Sequence, residues 1–310
     1  MSLWAVSPAA SQIFPSSPFS GNAAGTTGAT FLTLPTGGRE DAMGGAAAAG
    51  TEGAEAMFWN PAGLGRMAPE ARPELAMGYS DLLSQTYAGS LAYAHPLGAK
   101  GVLGVGLDYF SQSPQTAYSS VGDSTGQFTP YDAALGAAYA YRLGSYLLGA
   151  GAKLIRSSIA DTAGTAFAVD LGFQAPHVID LGEGPLDAGA SINNLGTPMR
   201  VGSVSAPLPM TMRLGGQWHI VPTVNAALDL VLPVDNSPYV AFGLEGVMKQ
   251  NGWKGFLRLG YDMNNGRGVD GLGGITAGVG VDFSRFRLDY AWVPFGDLGT
   301  TNRILMVFRF

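Results

Sequence analysis

The chain has 310 residues, 46% of them hydrophobic and 13% charged, with a formal charge of −6 and no cysteine. Soluble domains carry about 25% charged residues, so this chain is unusually apolar, with a mean hydropathy of +0.16. The missing cysteines exclude disulfide scaffolds and thiolate-bound metal, and the acidic balance argues against a nucleic-acid partner.

No stretch approaches the roughly 20 unbroken apolar residues that a membrane helix needs. The apolar residues are interrupted every few positions, and 46 glycines are spread among them. Two classes fit such a chain: a soluble all-β protein with a large core, and a transmembrane β-barrel whose strands need only about 9–11 residues each.

Residues 1–36 are rich in Ser, Pro, Gly and Ala and show no period. Two readings of "LWAVSPAAS" stay open: the tail of an export signal cleaved near Ala10, or an artificial start. The first basic residue is Arg39, so no charged leader precedes it. Residues 37–72 begin with "GGREDAMGGAAAAGTEGAEAMFWNPAGLGRM", where Ala46–Ala49 and Ala54–Trp59 are each expected to form a short helix. Asn60-Pro61 should end the second one in a turn.

From Glu74 the period changes to two and stays there. Leu75, Met77 and Tyr79 alternate with Ala76, Gly78 and Ser80. Leu103, Val105, Leu107 and Tyr109 oppose Gly104, Gly106 and Asp108. Met210, Met212, Leu214, Trp218 and Ile220 oppose Thr211, Arg213, Gln217 and His219. Phe286, Leu288, Tyr290 and Trp292 oppose Arg287 and Asp289. The chain ends on "RILMVFRF", with Ile304, Met306, Phe308 and Phe310 on one side. About 14 such strands can be counted, an even number, as in single-chain outer-membrane barrels.

Three features favour the membrane barrel. Charges of both signs sit deep inside strands on the polar side: Arg142, Lys153, Asp170, Arg213, Asp229, Glu245, Arg258, Asp282 and Asp289, joined by His219. Such residues suit a wet or mutually paired lumen. The connections also alternate in length. Short ones fall near Pro96–Ala99, Gly144, Val221-Pro222, Gln250-Asn251 and Ser284. Longer ones fall at Ser111–Pro130, Asn194–Pro207, Pro233–Pro238, Met263–Gly271 and Pro294–Thr301, and Ala175–Pro185 breaks the pattern. Finally, aromatic residues such as Tyr79, Tyr146, Trp253 and Trp292 favour strand ends, as interfacial girdles do.

The expected fold is therefore all-β: a transmembrane antiparallel up-and-down barrel of about 14 strands over residues 73–310. The expected partner of such a surface is outer-membrane lipid. Its polar face should pair charges across strands.

Three stretches carry a family resemblance: Gly37–Leu64, "NNLGTP" (Asn193–Pro198) with "LPMTMRLGG" after it, and Leu288–Phe310. Together they resemble the PorV/PorQ family of outer-membrane proteins, within the broader FadL-like barrels. The resemblance implies a 14-stranded barrel whose residues 37–72 fold into the lumen as a plug with short helices. Gly44, Gly45, Asn60, Pro61, Ala62, Gly63 and Leu64 would form that plug, as a gate or as plain structure. It also implies that Phe308 and Phe310 are read by the outer-membrane insertion machinery.

Function stays open among three readings. The first resembles PorV: a type IX secretion component that binds or shuttles secreted cargo with C-terminal sorting domains and docks on the translocon or attachment complex. The alternative is a FadL-like channel for uptake of hydrophobic small molecules, gated by the plug. The third is a structural barrel without either task. The expected place is the bacterial outer membrane, with both termini periplasmic. An enzyme, a metal site and a cofactor are not expected: His95, His177 and His219 have no metal-type spacing. "GVLGVG" (Gly101–Gly106) sits in a period-two strand with no helix after it, so it reads as small lumen residues and not as a nucleotide loop.

Overall fold

The computed structural model describes residues 13–34 and 37–310. The possible signal remnant near Ala10 lies outside them. Eighteen strands follow from Glu74: β1 Glu74–Asp81, β2 Thr86–Pro96, β3 Val102–Gln112, β4 Gln115–Tyr118, β5 Ser124–Phe128, β6 Tyr131–Leu143, β7 Tyr146–Ile159, β8 Thr162–Leu181 and β9 Gly184–Gly196. The second half holds β10 Met199–Val201, β11 Val204–Ala206, β12 Thr211–Val221, β13 Val224–Pro233, β14 Tyr239–Gln250, β15 Trp253–Asp262, β16 Ile275–Phe283, β17 Phe286–Pro294 and β18 Thr300–Arg309. Two pairs, β4–β5 and β10–β11, are small hairpins within loops, and the other 14 strands form one closed antiparallel barrel.

The barrel closes where β1 pairs with β18, from Glu74 opposite Arg309 to Asp81 opposite Asn302. Closure leaves no unpaired sheet edge. A cluster of charges pins the seam: Arg309 Nε donates to Glu74 Oε1 at 2.9 Å and Arg309 Nη1 to Asp282 Oδ1 at 3.0 Å. Phe308 packs on Phe286 and Phe310, with ring centroids 4.9 and 4.7 Å apart.

The period of two sorts side chains as the sequence requires. Met77, Tyr79, Leu103, Val105, Leu135, Phe167, Leu214, Leu257, Leu259, Val279, Phe286 and Ile304 are exposed on the outer wall, while Ala76, Val102, Ala134, Ala138, Asp170, Asp229 and Arg258 are buried inside. Such a continuous apolar belt has no counterpart on soluble monomers, whose largest apolar patches span about 300–600 Å². It matches the lipid face of a transmembrane barrel. Met210 departs from the expected outward row: it precedes β12 and is buried.

Connections differ between the two ends. At the end holding Phe310, the strands join by short turns; the opposite end carries the longer loops, including both small hairpins. The alternation is not strict, because Ala160-Asp161 and Leu82–Gln85 at the loop end are also tight. The expected loop Ala175–Pro185 is absent. Instead β8 runs for 20 residues and turns at Gly182-Glu183, with register shifts between Val169 and Leu171 and between Ala175 and Ile179.

Residues 13–34 lie at the loop end. Phe19 N–H donates to Val234 O at 3.0 Å, Gly28 N–H to Pro207 O at 2.9 Å, and Thr27 Oγ1 to Asp235 Oδ2 at 2.5 Å. Phe31 packs inside with Ala134, Ile155, Ala166 and Met199. The earliest described residues thus sit at the end opposite Phe310; the N-terminus itself, expected on the same side as the C-terminus, lies outside the described residues.

Candidate functional site: the filled lumen and its chamber

Residues 37–67 occupy the barrel interior, and their contacts run almost all the way around the wall. The segment contains α1 Arg39–Ala42, α2 Ala56–Trp59 and a 3-10 turn Pro61–Arg66. Ala46–Ala49, expected as a helix, is not one. Its backbone is captured by side chains instead: Ala47 and Ala48 N–H both donate to Asp229 Oδ2 at 2.9 Å. The Ala48 carbonyl accepts from Asn60 Nδ2 at 2.7 Å and Gln174 Nε2 at 3.3 Å.

This is a general pattern. A coil buried away from water must find partners for every peptide group, and here the strands supply them as inward side chains. Arg213 Nη1 donates to Gly45 O at 2.8 Å, Arg142 Nη2 to Gly65 O at 3.0 Å, and Thr276 Oγ1 to Ala42 O at 3.0 Å. Asn193 Nδ2 donates to Phe58 O at 3.4 Å. Within the segment, Arg39 Nη1 reaches Gly50 O at 2.8 Å and Arg66 Nη2 reaches Ala49 O at 2.6 Å.

Asn60 is the hub. It caps the 3-10 turn by accepting from Ala62 N–H at 3.2 Å, and its amide also donates to Phe173 O at 3.1 Å and Ala190 O at 3.2 Å on the wall. Pro61 opens the turn, and Ala62, Gly63 and Leu64 are fully buried behind it. Leu64 packs with Met57, Ala92, Ala140 and Leu305. Gly44 and Gly45 both have positive φ, +68° and +82°. A Cβ on Gly44 would also strike the Tyr261 and Phe242 backbone, so position 44 demands glycine twice over.

The lumen charges form an unbroken chain of partners. Starting in α1, Glu40 meets Arg39 (3.4 Å), Arg39 meets Glu245 (3.1 Å), Glu245 meets Arg258 (2.8 Å) and Arg258 meets Asp289 (2.6 Å). Asp289 then meets Arg287 (2.6 Å), and Arg287 meets Glu55 (3.7 Å) ahead of α2. Four acids face three bases. Both terminal carboxylates, Glu40 Oε2 and Glu55 Oε2, lack a hydrogen-bond donor among the described residues, and both crowd the space beside Gly37. Burial, then the Glu40 charge, push the Glu55 carboxyl well above the ordinary range.

The remaining sequence-predicted residues fall into smaller groups. Lys153 pairs with Asp170 at 2.9 Å, and Asp170 accepts from Asn194 N–H at 2.8 Å. Asp282 pairs with Arg309 at the seam. Arg213 lies 5.1 Å over the Trp59 ring. His219, near Asp229 in strand order, instead contacts Asn225 at 2.8 Å and Asp187 at 3.3 Å. Asp187 also holds Arg66 at 2.8 Å.

Several contributors escaped the sequence reading. Gln174, Asp187, Asn193 and Asn194 hold or flank the inner segment. Arg303 pairs with Asp41 of α1 at 2.9 Å. The available sign was parity: Gln174 falls on the same side of β8 as Asp170, and Arg303 on the same side of β18 as Arg309. Arg39, Glu40 and Asp41 stand out as charges within an Ala- and Gly-rich run.

The inner segment divides the lumen. Toward the loop end lies a chamber of about 630 Å³. Its apolar lining includes Phe31, Leu32, Phe58, Phe110 and Phe295, and its polar lining includes Asp41, Asp108, Asn193, Arg213 and Arg303. Toward the turn end lies a smaller space of about 220 Å³ among Glu52, Arg66, Arg72, Glu74, Arg287 and Arg309. The larger volume falls within the roughly 300–1,000 Å³ of small-molecule sites. Among the described residues, no group of three or more His or acidic side chains is placed to hold a metal ion.

No known family model matches the sequence, and no curated protein matches it. Solved structures do. The chain is similar to the Ralstonia pickettii toluene transporter TbuX, with a TM-score of 0.56 and 15% identity over 88% of this chain and 98% of that one. The P. putida toluene transporter TodX gives 0.56 and 14% over 87% and 97%. A Pseudomonas aeruginosa FadL homologue gives 0.53 and 8% over 89% and 99%.

The fold is FadL-like. At such low identity the likeness speaks for architecture alone. None of the comparisons supports the PorV/PorQ resemblance drawn from the three motifs.

Proposed function

We propose that this protein is an outer-membrane channel for hydrophobic small molecules, with residues 37–67 as the plug. The observation that carries the reading is the chamber of about 630 Å³ on the loop side of the ion-paired inner segment. Solutes would gather on its aromatic and aliphatic side, and movement of the plug would let them pass. The TbuX and TodX structures are toluene transporters, and their fold likeness supports placing this chain in that class. The long loops would then face outward, with Phe310 on the periplasmic side, where Phe308 and Phe310 would serve the insertion machinery.

The type IX secretion reading rests on the motif resemblance alone, and no contact in the structure favours it. An uptake assay separates the two. Expression in a host lacking its own hydrophobic channel should speed entry of a labelled aromatic solute. Thr211→Trp, which fills part of the chamber, should remove most of the gain. Unchanged uptake on expression, with secreted proteins bearing C-terminal sorting domains recovered on the purified barrel, would overturn the channel reading.

A further inference from the structure

The chamber's charges are unevenly matched, and the mismatch bears on its ligand. Three cations line it, and each is engaged: Lys153 with Asp170 at 2.9 Å, Arg303 with Asp41 at 2.9 Å, and Arg213 with the Gly45 carbonyl at 2.8 Å and Asp229 at 4.0 Å. Four further lining carboxylates, Asp108, Asp132, Asp235 and Asp262, have no ion-pair partner among the described residues. Asp235 accepts from Thr27, and Asp262 accepts from the Asn264 and Asn265 N–H groups.

A cluster of acids alone makes no site. A separate observation points to a ligand: Asp41 is only 3% exposed, lines the chamber, and leaves Oδ2 without a hydrogen-bond partner among the described residues. Asp108 Oδ1 likewise has no partner among the described residues. Buried acceptors without donors are costly, about 1–3 kcal/mol each, unless they take up a proton or a bound group donates to them. Phe31, Phe58 and Phe110 supply apolar surface in the same chamber, and aromatic faces attract cations.

We infer that the chamber selects amphipathic molecules with an apolar body and a protonated amine head, and that it disfavours carboxylate-headed lipids. This rests on the chamber being a ligand site, as argued above. A carboxylate entering it would meet four carboxyl groups without an ion-pair partner and, among the described residues, no free cation. An ammonium would meet acceptors that lack donors. A plain hydrocarbon would fill the apolar side and leave those acceptors bare.

The test uses the full chain in lipid nanodiscs and three probes with one ring system: 1-naphthylmethylamine, 1-naphthylmethanol and 1-naphthoate. Binding is read by calorimetry against empty nanodiscs. The expected order is amine, then alcohol, then carboxylate, with about tenfold or more between amine and carboxylate, the scale of one charge-assisted hydrogen bond. Asp108→Asn should weaken the amine about tenfold and leave the alcohol unchanged. Asp132→Asn, at a less enclosed position, provides a second variant should the first fail to fold, as judged by heat-dependent gel migration. Carboxylate binding equal to or tighter than amine binding overturns the inference while sparing the ligand site. Failure of all three probes to bind a folded barrel overturns the site and the inference together.

Discussion

The wall and the segment inside it solve one problem in opposite ways. Both hold peptide groups away from bulk water. The wall pairs its backbone with itself, strand to strand, around a closed circle. The inner segment has little regular structure, with two four-residue helices and a short 3-10 turn between Gly37 and Met67. Its peptide groups are met by side chains instead, many of them from the wall: Asp229, Gln174, Arg142, Arg213, Asn193 and Thr276. The lesson is that charged and amide residues inside these strands act as fitted partners for a particular coil. The wall should survive damage that the inner segment cannot.

The sharpest way to break that contrast is at Arg258. It is 0% exposed and bridges Glu245 and Asp289, at 2.8 and 2.6 Å. Arg258→Ala leaves two buried carboxylates without their shared cation, a loss of about 3–5 kcal/mol. Denaturant titration in detergent should show an early transition for residues 37–67 while the β-signal of the wall persists. Simultaneous loss of both would show that the two regions form one unit.

A steric test follows. Gly189 faces inward against the Ala48 carbonyl and Ala49, so any Cβ there overlaps the inner backbone. Gly189→Val should displace the segment at a cost of about 1–3 kcal/mol. Limited proteolysis should then cut within residues 46–50 of a barrel that still resists heat. Asn60→Ala comes next, since it strips a donor from three carbonyls. About 1–3 kcal/mol of lost seating is expected, and Asn60→Asp should fail to rescue it, because the lost function is donation.

The response to pH separates the regions more gently. Burial raises the Asp41 carboxyl to about 7 against the opposing Arg303 charge, and Glu55 is raised as well. A carboxyl raised in the seated state binds its proton there more tightly than in a released segment, whose Asp ionises near about 3.9. The stabilisation is therefore complete below about pH 4 and is lost as pH rises through about 7. Protection of the segment, corrected for intrinsic exchange rates, should be greater at pH 5 than at pH 8. Asp41→Asn with Glu55→Gln should flatten the difference. A segment that loosens on acidification would contradict these assignments.

The smallest effect is expected at the seam. Phe310 N–H donates to Pro73 O at 3.1 Å, and its ring meets Phe308 and Tyr93. Removing Phe310 leaves most of the ladder between β1 and β18 intact, so the finished barrel should change little. The amount reaching the membrane should fall, measured as heat-modifiable barrel per cell.

The sequence makes the wall legible because a strand in a barrel has two different surroundings on its two sides. Met77, Leu103, Phe167 and Ile304 must meet an apolar medium, so alternation survives through nearly every strand. What fills the lumen leaves no such periodic trace. Ala46–Ala49 have high helix propensity, yet Asp229 and Asn60 offer their peptide groups better partners than a helix would. The inward faces of Leu147, Ile155, Leu305 and Val307 are apolar because they meet the inner segment or the chain above it, which period alone cannot announce. Alternation puts His219 on the lumen side but does not name its partners, which the barrel supplies as Asn225 and Asp187. The 20-residue β8 hid behind its bulges, which break alternation near Ala175.

Hydrogen exchange across residues 42–66, followed by mass spectrometry in nanodiscs, tests the central idea most directly. If wall side chains hold that coil by its backbone, its amides in the wild-type barrel exchange nearly as slowly as those of β13 and β14, and Asp229→Ala releases the stretch around Ala47 and Ala48 first. Exchange of the whole stretch within seconds in the unmutated protein, beside a fully protected wall, would contradict the account.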